Sequence, residues 1–360
     1  MKSSKFSSQI ILQKLLSNKT SLVAILVIFI FLFIAIFSYQ IMPDKTPLAN
    51  SIELSIAKKK PGFRADYLLF KRDNNQIIES NSFFSGRENN YNEVLIHNYK
   101  LISDTVYYQT NQINTDFKKV HISNLYLNNS GNYIQEKYFV LGTDKYGRDL
   151  LSRIILGTRI SFSVGFISVF ISIIIGLLLG MLAGYYGGKI DLFICWLINV
   201  VWSIPTLLLV IAISIVLGKG FWQVFVAVGL TMWVEVARVT RGEVLKVNQL
   251  PYIEAIKSFG LSDISIMFKH ILPNILNPII IISAANFATS VLLESGLSFL
   301  GIGVQPPIPS WGMIIRNHYG LIVMEKAYLS ILPGLCIVIL VLSFMLLANV
   351  LRDLLDPKLK

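Results

Sequence analysis

The sequence predicts an all-α membrane protein with six transmembrane helices, and both its composition and its long apolar runs indicate this class. Of its 360 residues, 54% are hydrophobic and only 15% are charged, whereas an ordinary soluble domain carries about 25% charged residues. At a rise of about 1.5 Å per residue, a run of about 20 residues crosses a hydrocarbon core about 30 Å thick. Six apolar runs approach or exceed this length: 21–41, 160–183, 192–217, 221–239, 275–297 and 327–351.

The first apolar run, residues 21–41, is predicted to be a retained membrane anchor. It carries no charged residue. It is too long for the core of a signal peptide and lacks a cleavage pattern of small residues, so it does not have the features of a removed leader. An extracytoplasmic insert, residues 42–140, follows this helix in the predicted organisation, and residues 160–351 form a core of five helices.

Basic residues predict that both termini lie in the cytoplasm, because positively charged flanks are retained on that side of the membrane. The tail 1–20 carries no acid, and six crossings return the tail 352–360 to the same side, together with the segment between the fourth and fifth spans. The basic residues concerned are Lys2, Lys5, Lys14, Lys19, Arg238, Arg241, Lys246, Lys257, Lys269, Arg352, Lys358 and Lys360. The net charge of +11 is explained by this topology and by attraction to the lipid bilayer, and no nucleic-acid partner is predicted.

The insert 42–140 differs in composition from the rest of the chain. It is rich in Asn, Tyr and Lys, and about a hundred residues suffice for a small domain. Residues 94–96, 106–108 and 137–140 have the β-branched and aromatic character of strands. A modest core is predicted from the aromatic residues Phe83, Phe84, Tyr107 and Tyr108. The alternative is a loosely ordered outer loop.

Residues 141–159 are predicted to form an outer interfacial segment ahead of the second span. Asp149 can cap a short amphipathic helix, whose apolar side consists of Leu150, Leu151, Ile154 and Ile155. In the alternative interpretation, Asp144, Arg148 and Asp149 contact a substrate or a partner. The spacing favours the structural role.

The loop 250–274 is a compact polar segment between two spans, and its residues predict a helix–turn–helix. Pro251 suits the first turn of a short helix, and Gly260 can end that helix in a left-handed conformation. Ser262 or Asp263 can cap a second helix, and Pro273 is expected to break or kink the chain before the next span. The apolar residues Ile264, Met267, Phe268 and Ile271 have the spacing of a single helix face. Facing the cytoplasm, such a segment is a candidate lever for a soluble motor.

The sequence contains no pattern that indicates catalysis, a cofactor or a metal site. It has no Gly-x-x-x-x-Gly-Lys-Ser/Thr phosphate loop, no His-Glu-x-x-His pair and no Gly-x-Ser-x-Gly nucleophile turn. Cys195 and Cys336 both lie in predicted spans, which argues against a disulfide or metal-binding role. We therefore predict a protein without catalytic residues, whose energy source lies in another subunit.

Acidic residues are rare in the predicted spans. Glu235 lies toward the inner end of the fourth span, and Glu294 lies toward the outer end of the fifth. Ion-coupled carriers usually bury such groups near the middle of the membrane. Two roles stay open for Glu294: lining a translocation path or gate, or making a structural hydrogen bond where the helix unwinds at Gly296.

Three motifs in a fixed order resemble the C-type permease subunit of dipeptide and oligopeptide ABC importers. The motifs are Gly142-Thr-Asp…Gly147-Arg-Asp…Ser152-Arg…Gly157-Thr-Arg-Ile-Ser, then Glu254-Ala…Gly260…Leu272-Pro, and finally Leu297-Ser-Phe-Leu-Gly-Ile-Gly-Val-Gln-Pro-Pro-Ile-Pro-Ser-Trp-Gly312. The resemblance runs from about residue 139 to the C-terminus and implies the type I ABC importer permease fold. Two features depart from the family: Ile256 stands where the motif often has a second alanine, and the insert 42–140 is unusually long.

The resemblance further implies that the loop is the element that seats in a cleft of the ATP-hydrolysing subunit. The residues carried over by motif position are Glu254, Ala255, Gly260, Leu261, Leu272 and Pro273. Glu294 matches an acidic position that precedes the third motif. The implied location is the plasma membrane of a bacterium, as a multi-pass component.

The implied partners are a second, homologous permease subunit in a heterodimer, two cytoplasmic ATP-binding subunits and an extracytoplasmic solute-binding protein. The implied cargo is di- or oligopeptides, with nickel chelates or glutathione as alternatives within the same family. Two other classes stay open: a proton-coupled secondary carrier, and a membrane-anchored receptor or scaffold that acts through the insert.

Overall fold

The computed structural model describes Leu15 and residues 17–72, 82–110, 116–128, 131–218 and 220–355. The lysines predicted to orient the tails, Lys2, Lys5, Lys14, Lys358 and Lys360, lie outside the described residues. The chain divides into two compact units. A helical unit comprises Met1–Ala35, Thr158–Arg316 and Ile331–Lys360, and an insert unit comprises Ile36–Gly157 and Asn317–Ser330.

Ten helices position the functional segments within the described residues. They are α1 (Lys19–Ile36), α2 (Leu150–Tyr186), α3 (Gly188–Trp202), α4 (Thr206–Leu217), α5 (Phe221–Asn248), α6 (Pro251–Ser258), α7 (Asp263–Ile266), α8 (Leu272–Leu300), α9 (Trp311–His318) and α10 (Tyr328–Leu355). Two four-residue helices, Ser38–Ile41 and Ser82–Ser85, lie in the insert unit. Among these residues, five helices are long and apolar enough to cross a membrane, or six if the bent pair of α3 and α4 forms one span. The predicted fold class is confirmed.

The third predicted span, residues 192–217, is not one continuous helix, and the prediction is wrong in this respect. Helices α3 and α4 meet at a bend of 92°. The cause is Pro205, which precedes α4 in a non-helical conformation with φ −53° and ψ 125°. Proline has no N–H to donate and excludes the residue before it from the helical region, so the helix stops there.

The second span is longer than predicted, because α2 runs without interruption from Leu150 to Tyr186. Asp149 caps it as predicted: its Oδ2 accepts a hydrogen bond of 2.8 Å from the backbone N–H of Ser152. The separate interfacial helix expected within 141–159 does not form. The connecting residues include no proline, and a single glycine, Gly157, costs a helix only about 1 kcal/mol.

Helices α2 and α5 approach each other closely along a row of glycines. A Cβ added to Gly176 would lie 2.5 Å from the Cβ of Val236, and one added to Gly184 would lie 2.7 Å from the Cβ of Val244. These spacings leave no room for a side chain, as is typical of small residues at helix interfaces in membranes. The pair therefore forms a closely packed base for the segment that follows α5.

The insert unit contains six strands within its described residues. They are β1 (Phe63–Lys71), β2 (Tyr91–Ile96), β3 (Asn98–Ile102), β4 (Thr105–Gln109), β5 (Lys118–His121) and β6 (Ile134–Phe139). Two antiparallel sheets result, in the orders β2-β1-β6 and β3-β4-β5. In the first sheet, Tyr67 pairs with Leu95 on one side and with Gln135 on the other. The predicted strand segments fall in or overlap β2, β4 and β6.

The core of the insert unit differs from the predicted aromatic cluster. Tyr108 is buried, but Phe83 and Phe84 are exposed and the prediction is wrong for both. Aliphatic residues, among them Leu68 and Leu125, are almost fully buried instead. Phe83 and Phe84 lie in the short helix Ser82–Ser85 rather than in a strand, so neither alternates into the space beside a sheet.

Candidate functional site

The first half of the 250–274 segment has the predicted geometry. Pro251 occupies the first turn of α6, and Gly260 follows the helix with φ +77°. The backbone N–H of Gly260 donates to the carbonyl of Lys257 at 3.0 Å. No described atom lies within 4 Å of the place where a Cβ would stand. The left-handed conformation, and not crowding, is therefore the reason for glycine at this position.

The second half of the segment differs from the prediction at Pro273. Helix α7 passes into a π-helical turn, Met267–Ile271, in which the N–H of Leu272 donates to the carbonyl of Met267. The chain then continues directly as α8, so the expected break at Pro273 is wrong, and the alternative, a kink, stays a prediction. Proline in a regular helix clashes with the carbonyl four residues earlier. A π-helical turn widens the helix immediately before Pro273, which accommodates the ring without a break.

One face of the segment is anchored in the helical unit. Ile253, Ile266 and Ile271 are fully buried in a cluster with residues of α2 and α5, including Tyr185 and Val244. Burying side chains of this size stabilises by about 1.5–3 kcal/mol each. The segment is thus fixed to the ends of two long helices.

The predicted apolar face is only partly correct. Met267 and Ile271 are buried, whereas Ile264 is 66% exposed and Phe268 is 48% exposed. The prediction assumed a regular helix, in which residues three and four apart share a face. The π-helical turn changes that angular spacing, so the four side chains are divided between the core and the surface.

Polar contacts also fix the segment to the helices beneath it. The hydroxyl of Tyr185 donates to Asp263 Oδ1 at 2.7 Å. Lys257 Nζ donates to Asn248 Oδ1 at 2.8 Å and lies 4.8 Å from the centroid of the Tyr185 ring. These contacts join α6 and α7 to α2 and α5, so a force applied to the segment is transmitted to long helices.

The opposite face of the segment presents apolar side chains to the outside. Phe259 is 82% exposed and Leu261 is 40% exposed, and with Ile264 and Phe268 they form a surface that we call the apolar docking face. Exposed apolar residues concentrated in so short a segment are typical of interaction surfaces. The motif residues Glu254, Ala255, Gly260, Leu261 and Pro273 are also exposed, whereas Leu272 is half-buried.

Glu294 occupies a closed polar site between α2 and α8. Its side chain has no solvent exposure. Ser298 Oγ donates to Glu294 Oε1 at 2.7 Å, and Ser161 Oγ donates to Oε2 at 3.3 Å. The expected unwinding at Gly296 is wrong, because α8 continues to Leu300. These contacts agree with a structural hydrogen-bonding role, and a gate role stays a prediction.

The third motif folds back on the end of α8. A Cβ on Gly303 would lie 2.3 Å from Ser298 Oγ, and one on Gly312 would lie 2.2 Å from the carbonyl oxygen of Ser295. Ser298 Oγ also accepts a hydrogen bond of 3.1 Å from the N–H of Val304. The glycines of this motif are thus required by close packing around the Glu294 site, which the sequence patterns did not reveal.

The first motif forms a buried turn in the insert unit. Arg148 Nε donates to Asp144 Oδ2 at 2.7 Å, and both residues are at least 94% buried. Asp144 Oδ1 accepts hydrogen bonds from the N–H groups of Tyr146 and Arg148 at 2.8 and 3.0 Å, and Arg148 also donates to Asn50. The structural role favoured by the spacing is what Asp144 and Arg148 perform.

We expect Glu294→Leu to lower the thermal stability of the purified protein more than Glu294→Gln. Leucine removes the acceptor of three buried serine hydroxyls, those of Ser161, Ser295 and Ser298, at a cost of about 1 kcal/mol each, whereas glutamine keeps an acceptor. The unfolding midpoint in detergent measures the difference. Equal stability of the two variants would contradict the structural role. If Glu294 acts as a gate, glutamine lowers uptake without lowering that midpoint.

Residues 176–360 match the family described as binding-protein-dependent transport system inner membrane component. The chain is 42% identical over 220 residues to the glutathione transport system permease protein GsiD of Pectobacterium atrosepticum, which covers 61% of this chain and 73% of that protein. It is 40% identical over 219 residues to GsiD of Escherichia coli, with coverage of 61% and 72%.

Solved structures give a weaker likeness. An inward-facing structure of the MetNI methionine ABC transporter aligns with a TM-score of 0.47 and 21% identity, over 57% of this chain and 97% of that one. The family match covers more than half of the chain, from within α2 to the C-terminus, and contains the whole 250–274 segment. The protein therefore belongs to the family of binding-protein-dependent transport system inner membrane components.

Proposed function

We propose that this protein is one of two permease subunits of an ATP-driven peptide importer and forms half of the translocation path. The observation that carries the proposal is the 250–274 segment, which is anchored on α2 and α5 through one face and exposes an apolar docking face on the other. Such a segment receives mechanical work from a partner. In the proposed complex that partner hydrolyses ATP. The helices of this chain line the translocation path and move in response.

The charge distribution supports an orientation for the proposed subunit. The basic tails 1–20 and 352–360 lie in the cytoplasm together with the docking face, as the retention of positive charge predicts. The insert 42–140 and the segment 141–159 then lie outside the cell, and residues 160–351 form the membrane core. In this orientation the docking face meets soluble ATPases and the insert meets the medium.

The proposed complex contains a second, homologous permease, two ATP-binding subunits and an extracytoplasmic solute-binding protein. Closure of the ATPases on ATP moves the 250–274 segment as a rigid body and rocks the long helices between inward- and outward-facing states. The Tyr185–Asp263 and Lys257–Asn248 contacts support rigid-body transmission, since they join the segment to α2 and α5.

Peptides are the cargo that the relatives support best. The matched relatives are named as glutathione transport permeases, and glutathione is itself a tripeptide. A di- or oligopeptide and glutathione present the same chemistry to a transporter: backbone amides, a free carboxylate and a free ammonium group. No separate observation favours nickel chelates.

Uptake by right-side-out vesicles or proteoliposomes that contain the complete complex, with ATP enclosed in the lumen, tests the proposal. We expect labelled dipeptide or glutathione to accumulate only with ATP, and to do so equally well with a protonophore present. Accumulation that needs no ATP and collapses with the protonophore would show a proton-coupled carrier instead. Transport that persists without this chain would show a receptor or scaffold role.

We expect Gly260→Ala to reduce this uptake about tenfold. A left-handed conformation costs an alanine about 1–2 kcal/mol, so α6 and α7 no longer hold their mutual angle. Gly131→Ala is the matched control, because Gly131 also has a positive φ, of 75°, and free space around it but lies outside the segment. Membrane insertion, measured by immunoblot, stays normal for both. Equal uptake by the two variants would show that the segment does not couple ATP to transport.

A further inference from the structure

The insert unit contains a cavity of about 300 Å³ with a strongly acidic lining, which we call the acidic cavity. Its walls come from β1, β2 and β6, from residues near 43–53 and from the turn before α2. The charged groups of the lining are the carboxylates of Asp44, Glu53, Glu93, Glu136 and Asp149 and the single ammonium of Lys137. The cavity therefore carries a large excess of negative charge.

Asp149 is the buried acid of this lining, and one of its two carboxylate oxygens receives no hydrogen bond from the residues that the structure describes. The side chain is 95% buried, and its Oδ2 accepts hydrogen bonds from the N–H and hydroxyl of Ser152. Its Oδ1 has no hydrogen-bond partner among the described residues. Burial raises the pKa of Asp149, and the charge of Asp44 raises it further. A buried carboxylate oxygen without a donor is costly, so a ligand that donates to it is stabilised.

Lys137 shows how the wall of the cavity receives an ammonium group. Its Nζ forms an ion pair with Glu93 and lies 4.8 Å from the centroid of the Tyr67 ring. A carboxylate together with an aromatic face is a combination that binds organic cations well. Asp44, Glu53 and Glu93 line the cavity together with Tyr67, and burial and the charges of these carboxylates raise the pKa of Tyr67.

Among the described residues, the remaining acids accept hydrogen bonds from nearby or exposed donors. Glu53 Oε1 accepts from the hydroxyl and N–H of Ser55, and Asp44 Oδ1 accepts from Thr46. Glu136 pairs with Arg64, but both side chains are more than half exposed. Exposed ion pairs contribute little. One lysine and these neighbouring groups do not neutralise the cavity, so it keeps a capacity for a further cation.

The size and spacing of the acids favour an organic cation over a metal ion. Within the described residues, no group of three or more His, Cys, Asp or Glu side chains is arranged to hold a metal. A volume of about 300 Å³ lies at the lower end of the range typical of small-molecule sites. The cavity is therefore large enough for an amine with several carbon atoms and too open for direct ligation of a bare ion.

We propose that the acidic cavity binds a small organic molecule through a primary ammonium group, which pairs with Asp149 and Glu53. The N-terminus of a short peptide and a free aliphatic diamine both provide this group. The site is separate from the docking face and from Glu294, and it stands whether or not the proposed cargo is correct.

Calorimetric titration of the purified full chain in nanodiscs tests the site. The probes are dialanine, putrescine, N-acetyl-dialanine and calcium chloride. We expect dialanine or putrescine to bind, and N-acetylation to weaken the binding of dialanine at least tenfold because it removes the ammonium charge. Binding of dialanine but not putrescine identifies a peptide-like ligand, and the reverse identifies a diamine.

Variants separate this cavity from any site in the translocation path. Asp149→Asn keeps a side-chain oxygen for the cap of α2 but removes the charge, and Glu53→Gln keeps the acceptor for Ser55. We expect each to weaken amine binding about tenfold. Glu88→Gln is the matched control, because Glu88 lines a neighbouring cavity but not this one. We expect this variant to bind the amine with the affinity of the unmodified chain. Unchanged affinity in Asp149→Asn and Glu53→Gln, binding of calcium only, or no binding of either amine would overturn the proposal.

Discussion

Ile264→Asp is expected to separate this chain from its ATPase subunits, with a loss of affinity of about 100-fold or more. Ile264 is one of the four residues of the apolar docking face and is 66% exposed in the isolated chain. Burial of its side chain in a partner's cleft contributes about 1.5–3 kcal/mol. Aspartate loses this contribution and adds the cost of a buried, unpaired charge. Copurification of the ATPases with the tagged permease measures the effect.

Leu101→Asp is the matched control for this substitution. Leu101 lies on β3 in the insert unit and is 58% exposed, so the same chemical change is made at a similarly exposed residue far along the chain. We expect this variant to retain the ATPases. Both residues are on the surface, so neither variant is expected to unfold. Retention of the ATPases by Ile264→Asp would exclude the docking face as their binding surface.

The long helices were predictable because a helix that crosses a membrane must be both apolar and about 20 residues long. That requirement is local, so it is visible in 21–41 or 221–239 without knowledge of neighbouring segments. The ends of the helices were harder to predict from the sequence. Length and hydropathy indicated that 192–217 is a span, but they did not reveal that Pro205 divides it into two helices at 92°.

The 250–274 segment shows where periodicity stops being informative. The stop at Gly260 was predictable, since glycine is the residue that adopts a positive φ at little cost. In contrast, the sequence did not predict which apolar residues of the second helix are buried and which are exposed. That distribution depends on a π-helical turn before Pro273, and a register change of one residue moves Ile264 and Phe268 away from Met267 and Ile271.

The features of the insert unit depended most on tertiary contacts. The motif that contains Asp144 and Arg148 gave a correct expectation of a structural role, because a turn motif binds its own backbone. The absence of a donor to Asp149 Oδ1 among the described residues could not be predicted from the sequence, because tertiary contacts decide whether a buried oxygen meets a donor. The exposed Phe83 and Phe84 show the same limit, because aromatic character alone does not decide burial.

Gly147→Ala is expected to destabilise the insert unit by about 2–5 kcal/mol. Gly147 has φ +78°, and a Cβ there would lie 1.8 Å from the carbonyl oxygen of Glu53. The obstruction is backbone, so no rotamer change relieves it. Strain of about 1–2 kcal/mol for the left-handed alanine adds to an overpacking cost of about 1–3 kcal/mol. The measurement is pulse proteolysis of the purified protein, with the cleavage sites identified by mass spectrometry.

Gly131→Ala separates the two causes of this expected loss. Gly131 has a similar φ of +75°, but no described atom lies within 4 Å of the position of a Cβ. This variant therefore carries the conformational strain alone, and we expect a loss of only about 1–2 kcal/mol. We expect more cleavage within the insert unit in Gly147→Ala than in Gly131→Ala, because the turn at residue 147 must move away from Glu53. Since Glu53 and Gly147 both line the acidic cavity, that movement also abolishes amine binding, whereas Gly131→Ala retains it. Equal cleavage of the two variants would show that the turn at Gly147 does not pack against Glu53.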